Sequence, residues 1–195
     1  MTLVLATTNP GKIREILGIL EGTPAALRTL SDFPPVPEPE ETGDTFAENA
    51  RIKALYYAGT SGLPAVADDS GLEIAALGNL PGVQSARWEG DDYRVKFERI
   101  RERLGAQGLT TSPARFVCRV ALAEAGRILF ESQGVVEGEI ASEPRGEHGF
   151  GYDPIFFYPP LRQTLAEIPH ELKATVSHRG AAFSALRAYL REHPG

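Results

Sequence analysis

A single cysteine, Cys118, in 195 residues excludes an internal disulfide framework and a cysteine-based zinc site. Long apolar runs are also missing. Nothing approaches the roughly 18 consecutive apolar residues that a membrane helix requires. Positive charge is in deficit, with 20 Lys and Arg against 26 Asp and Glu and a formal net charge of −6. That balance argues against a groove that grips nucleic acid by neutralising its phosphates. The first residues carry no basic stretch, and Met1–Leu5 run almost directly into Thr7, Thr8 and Asn9. No secretory leader is expected, and a reducing cytoplasm fits the cysteine usage. No repeat and no linker divides the sequence, so one domain over 1–195 is expected.

What is present is ordinary globular material: 42% hydrophobic and 24% charged residues, enough for one good core. Twenty glycines and 15 prolines stay short of a low-complexity signature, so the bulk of the chain is expected to fold. An acidic protein can still bind one small polyphosphate. It then needs a local cluster of Lys, Arg and backbone N–H groups, and a divalent cation.

Hydrophobic periodicity predicts a strand over 2–6, a polar turn, and a helix carrying Ile13, Ile16, Leu17 and Leu20. Asn9 suits the N-cap of that helix and Pro10 its first turn. A second strand is expected over 26–30, followed by a Pro-rich acidic loop over 31–43. Thr45 and Glu48 form a capping-box pattern opening a helix to about Gly59. A buried strand over 63–67 is expected to end at Asp68-Asp69-Ser70-Gly71, with a separate strand over 72–77. Tyr93, Phe97, Ile100 and Leu104 mark an amphipathic helix. Residues 114–123 and 128–140 read as a hairpin. Ser177 caps a last helix with Phe183, Leu186 and Leu190. The class is α/β with a mixed sheet.

Polar, ligand-like groups recur at the ends of these elements. Thr7-Thr8-Asn9-Pro10-Gly11-Lys12 lies between a strand and a helix, where free N–H groups, the helix dipole and a lysine would favour an anion. It is not a P-loop, because Ile13 stands where a Ser or Thr would hold magnesium. The alternative is a capped helix with a solvated lysine. Asp68 and Asp69 are adjacent, so on a strand only one should face a ligand while the other braces the loop. The alternative is an Asx-turn pair. Glu40 and Glu41 offer a second carboxylate or a merely solvated loop. Asn49 and Lys53, four apart, share a helix face. In Gly149-Phe150-Gly151-Tyr152-Asp153-Pro154 the glycines permit close backbone approach and the aromatics could stack on a base. A tight turn with aromatic core plugs is the alternative. Ser177-His178-Arg179-Gly180, with Lys173 just before, suits a site that reads carbonyl or phosphate oxygens.

Taken in order, these segments, with Glu41–Ala50, Ala67–Leu72 and Pro81–Arg87, resemble the inosine triphosphate pyrophosphatase family, the XTP/dITP diphosphatases. The resemblance covers the whole chain. It implies an α/β protein with a long twisted mixed sheet, flanking helices, and two lobes around a central cleft. It implies a homodimer and hydrolysis of an NTP to NMP and pyrophosphate with a divalent cation, usually Mg2+. By position, Thr7, Thr8, Asn9, Pro10, Gly11 and Lys12 would hold the triphosphate, assisted by Lys53. Asp69 would accept the proton of the attacking water and ligate the metal. Glu40 would be a second metal ligand, with Glu41 its competing neighbour. Ser70 would touch substrate. Phe150 would stack on the base in a pocket lined by Gly151, Tyr152 and Asp153, and Lys173, His178 and Arg179 would contact the base. Thr8 and His148 stand where many members have glycine, which bears on loop geometry and affinity. A nucleotide-binding regulatory module without catalysis is the alternative function.

Overall fold

The computed structural model describes residues 1–194. Among the described residues it has eight strands and five α-helices. One mixed sheet runs in the order β2-β1-β3-β5-β6-β7-β8, with β4 paired to β3. The strands are β1 (Thr2–Leu5), β2 (Ala26–Thr29), β3 (Ala65–Ile74), β4 (Leu80–Pro81), β5 (Pro113–Glu124), β6 (Arg127–Ile140), β7 (Phe156–Tyr158) and β8 (Gln163–Thr164). The helices are α1 (Pro10–Leu20), α2 (Phe46–Ser61), α3 (Tyr93–Gly105), α4 (His170–Val176) and α5 (His178–Glu192).

The chain forms two compact units, each assembled from separated segments. The first comprises Met1–Asp69, Cys118–Gly134 and the segment from His178 onward; the second comprises Ser70–Val117 and Val135–Ser177. Because β3, β5 and β6 each contribute to both, no linker marks the division in sequence.

In the first unit β1 pairs in parallel with both β2 and the start of β3, and α5 packs on α1. Its apolar centre includes Val4, Ala50, Ala54, Tyr57, Ala65 and Ala121. In the second, Leu72, Ile74, Phe97, Ile100, Phe116, Phe156 and Leu165 form the core, where alternate positions of the strands meet the apolar stripe of α3.

Two helix starts follow their local chemistry. The Asn9 side chain accepts the Lys12 N–H at 3.1 Å. Thr45 and Glu48 close a reciprocal box, with Thr45 N–H donating to Glu48 Oε2 at 3.0 Å and Glu48 N–H to Thr45 Oγ1 at 3.2 Å.

Two expectations are corrected. Asp68-Asp69-Ser70-Gly71 does not end a strand; it lies in the middle of the ten-residue β3. The ligand-like position arises instead because β1 stops at Leu5, after pairing with Val66, while β3 continues past it. On α1 the buried face carries Glu15, Ile16, Ile19 and Leu20, and Leu17 is exposed. A charged residue at an inward position displaced the apolar stripe read from the sequence.

Candidate active site

The alternation of β3 sends Asp68 and Asp69 in opposite directions. Asp69 meets α2. Its Oδ2 accepts from the Asn49 amide at 3.3 Å and its Oδ1 faces Lys53 Nζ at 3.1 Å. Asn49 and Lys53 are one helical turn apart, as their spacing requires. Asn49 Oδ1 also accepts the Gly43 N–H at 2.9 Å, tying the acidic loop to the helix. A Cβ on Gly43 would lie 2.5 Å from the Glu48 Cβ, so only glycine lets the loop come this close.

Lys53 Nζ also pairs with Glu41 Oε1 at 2.6 Å. Of the two adjacent glutamates, Glu41 is therefore the one brought to Asp69, both carboxylates gathering on one ammonium. Burial pushes the Asp69 carboxyl above its ordinary range, Glu41 adds to the rise, and Lys53 and Lys12 oppose it. Burial works to lower the Lys53 pKa, but Asp69, Asp68 and Glu41 together raise it. Asp69 therefore holds a proton more readily than a free carboxyl, and Lys53 stays charged.

Asp68 points the other way, into an ion-pair cluster in which Asp68, Arg179 and Glu15 are buried and Lys12 is 17% exposed. Its Oδ2 lies 3.0 Å from Lys12 Nζ and 3.3 Å from Arg179 Nη2. Arg179 Nη1 reaches Glu15 Oε2 at 2.7 Å. Burial works to raise the Asp68 pKa, but Lys12, Arg179 and Lys53 outweigh it and hold the carboxyl well below its usual range. Cys118 Sγ lies 3.8 Å from the same oxygen, and burial with the Asp68 charge pushes its thiol up, so it is inert. Asp68 thus braces Lys12 at the start of α1, beside Thr7 through Gly11. Thr8, at the position where the resemblance expects glycine, donates to Glu38 Oε1 at 3.0 Å and joins this loop to the Pro-rich one.

The second unit holds a separate cluster. Asp153 Oδ2 accepts the Phe150 N–H at 2.7 Å and pairs with the buried Lys173 ammonium, which lies 5.0 Å from the centre of the Phe150 ring. Gly149 has φ +71°, and a Cβ there would sit 2.1 Å from Asp153 Oδ2. The glycine is thus required by the loop's own carboxylate. Tyr152 is buried, and its ring packs edge-on against Tyr93 with 5.1 Å between centroids.

The first unit contains Thr7–Lys12, Glu41, Lys53, Asp69, His178 and Arg179, and joins Lys53 to Asp69 and Glu41 and, through Asp68, Lys12 to Arg179; the second contains Ser70, Phe150–Asp153 and Lys173, and joins Lys173 to Asp153. Glu40 is exposed on the loop. Sequence reasoning missed Glu15, whose signal was its place three residues after Lys12 on the face of Ile19. It also missed the partners of Arg179. Asp69 and Glu41 give two hard oxygen ligands, which suits a magnesium ion that takes one or two carboxylates and completes its shell with phosphate oxygens and water. Among the described residues no group of three or more His, Cys, Asp or Glu side chains could hold a metal by itself.

The sequence profile of the Ham1 family matches residues 3–189. The chain belongs to the Ham1 family. A relative from Thermus thermophilus named dITP/XTP pyrophosphatase is 47% identical over 199 residues, covering 100% of this chain and 94% of the relative. One of the same name from Geobacter sulfurreducens is 45% identical, covering 96% of each chain. Among solved structures, a HAM1 protein from Coxiella burnetii superposes with a TM-score of 0.90 at 43% identity, covering 98% of this chain and 99% of that one. A Ham1 family member therefore carries the two clusters described above. No helix among its described residues is long and apolar enough to cross a membrane.

Proposed function

We infer that this Ham1 protein hydrolyses deaminated purine nucleoside triphosphates, ITP, dITP and XTP, to the monophosphate and pyrophosphate, clearing them from the nucleotide pool. The observation that carries the reading is Asp69, held between Asn49 and Lys53 with Glu41 beside it. The names of the relatives agree with it. The activity is assigned to a single domain, 1–195, working as a homodimer in the cytoplasm.

In this mechanism Asp69 accepts the proton of a water attacking the α-phosphorus; its raised pKa brings it nearer neutrality, where a base is most effective. Mg2+, held by Asp69 and Glu41, would neutralise phosphate charge and lower the pKa of bound water. Lys53 keeps the two carboxylates from repelling each other before substrate arrives and then assists at the triphosphate, stabilising the leaving pyrophosphate. Lys12, oriented by Asp68, and the free N–H groups at the start of α1 stabilise the leaving pyrophosphate. No covalent nucleophile is needed. Thr7 through Gly11 shape the triphosphate site, and Ser70 touches substrate. In the second unit Phe150 stacks on the base, with Gly151, Tyr152 and Asp153 lining its pocket and Lys173 contributing a cation.

Selectivity follows from polarity. Hypoxanthine and xanthine carry an acceptor oxygen at C6, where adenine carries a donor amine; guanine shares that oxygen and must be told apart by its 2-amino group. A buried donor left unpaired costs about 1–3 kcal/mol.

The test is product analysis. Purified protein with Mg2+ is given ITP, XTP, ATP and GTP separately, and pyrophosphate is assayed against orthophosphate, with Asp69→Asn alongside. Monophosphate and pyrophosphate from ITP and XTP, weak turnover of ATP and GTP, and an inactive variant are expected. Orthophosphate release would move attack to the γ-phosphorus and refute the mechanism. Tight ITP binding without turnover would make the protein a regulatory module.

A further inference from the structure

Lys96, on α3, is fully buried, yet its Nζ meets carbonyl oxygens and ring faces rather than a carboxylate. It donates to Ser85 O at 3.1 Å and Ala86 O at 2.6 Å. Above it lie the Tyr93 ring, with its centroid 4.5 Å away, and the Tyr152 ring at 5.7 Å. The Tyr152 hydroxyl donates to the same Ser85 carbonyl at 2.9 Å. The Ser85 hydroxyl donates to Gly82 O at 2.6 Å and accepts the Leu72 N–H at 2.9 Å. One buried serine is thus the node that joins β3, two residues beyond Ser70, to the Tyr152 of the Gly149–Asp153 loop.

A buried ammonium is costly, and an apolar residue of similar length would fill the space without that cost. Burial lowers the Lys96 pKa and Asp91 opposes the fall. What the cation supplies, and a methionine would not, is a pair of donors that turn the Ser85 and Ala86 carbonyls inward and a positive charge beneath two tyrosine faces. Fixing Ser85 O fixes the acceptor of the Tyr152 hydroxyl, and Tyr152 lies within the loop that carries Phe150 and Asp153.

We propose that Lys96 is a positioning residue for purine recognition, acting through the Ser85 carbonyl on Tyr152 to hold the base-binding loop in its receptive geometry. The proposal rests on the base site assigned above. It separates two affinities that a general loss of structure would change together: that for the nucleotide, which needs the loop, and that for inorganic triphosphate, which lacks a base.

The experiment measures ITP hydrolysis and its inhibition by inorganic triphosphate in the wild type, Lys96→Met, Tyr152→Phe and the double variant, with circular dichroism confirming the fold. In Lys96→Met the ITP KM should rise about tenfold with kcat within about threefold. Inhibition by inorganic triphosphate should stay within about twofold, and Lys96→Arg should recover much of the loss. Because both residues act through one carbonyl, the double variant should be little worse than Lys96→Met. An unchanged ITP KM in the folded variant, or equal weakening of ITP and triphosphate, would overturn the proposal. If Lys96→Met does not fold, Tyr152→Phe is read alone, since it removes the hydroxyl that Ser85 O accepts and leaves Lys96 in place: an unchanged ITP KM, or equal weakening of ITP and triphosphate, would overturn it. Absence of ITP turnover in the wild type would refute the assigned function instead. Calorimetric ITP binding to the same variants would then test Lys96 separately.

Discussion

Replacing Arg179 with methionine tests whether its guanidinium is chiefly an ion-pair partner in the first unit. Its Nη1 lies 2.7 Å from Glu15 Oε2 and its Nη2 3.3 Å from Asp68 Oδ2. The three side chains are 2%, 6% and 0% exposed. At an effective dielectric constant of about 20 the gross attractions are each about 5–6 kcal/mol, most of it offset by the desolvation of three charges. The loss on truncation is therefore set by the buried carboxylates that lose the guanidinium. Asp68 retains Lys12 at 3.0 Å, so Glu15 bears most of the cost. Breaking a buried pair in this way costs about 3–5 kcal/mol. With an m-value of about 2 kcal/mol/M in urea, the midpoint should fall by about 1.5–2.5 M at neutral pH. The double variant Glu15→Met/Arg179→Met should be more stable than Arg179→Met alone, because no buried carboxylate then faces methionine. Urea unfolding followed by circular dichroism measures both. A midpoint shift under about 0.5 M, with a changed ratio of ITP to ATP hydrolysis, would refute the ion-pair account and leave Arg179 a base-reading residue alone.

Asp68 makes stability depend on pH in a definite direction. Its folded pKa is depressed below the ordinary 3.8, so its contribution is fully present above about pH 5 and is lost as pH falls through the unfolded value toward the folded pKa. The urea midpoint of the wild type should drop steeply over that range, and that of Asp68→Asn should be lower at neutral pH and fall less. Lys53→Met leaves Glu41 and Asp69 without the ammonium that now lies 2.6 and 3.1 Å from them. Steady-state kinetics with ITP should show a kcat loss of about 10²–10³-fold, and a loss under about tenfold would contradict the assigned role. Gly149→Ala places a methyl against the Asp153 carboxylate at φ +71° and should disturb the Lys173 pair. A raised ITP KM with unaltered inhibition by inorganic triphosphate is expected, and unchanged KM would show that the loop tolerates the side chain.

Local chemistry was legible in the sequence wherever one segment suffices to decide it. The Asn9 cap, the Thr45–Glu48 box and the shared face of Asn49 and Lys53 follow from spacing alone, because helix and strand periods are properties of the backbone. The opposite facings of Asp68 and Asp69 follow for the same reason. Tertiary structure decided everything that depends on which segments meet. Glu41 rather than Glu40 reaches Lys53, since the Gly43–Asn49 bond sets where the loop approaches α2. Arg179 finds Glu15, 164 residues away, only once α5 packs on α1. Lys96 becomes a buried cation only when Ser85, Tyr93 and Tyr152 close over it. In sequence Arg179 reads as a reader of ligand oxygens and Lys96 carries no signal, since the chain alone holds no record of the carbonyls and carboxylates that folding brings against them.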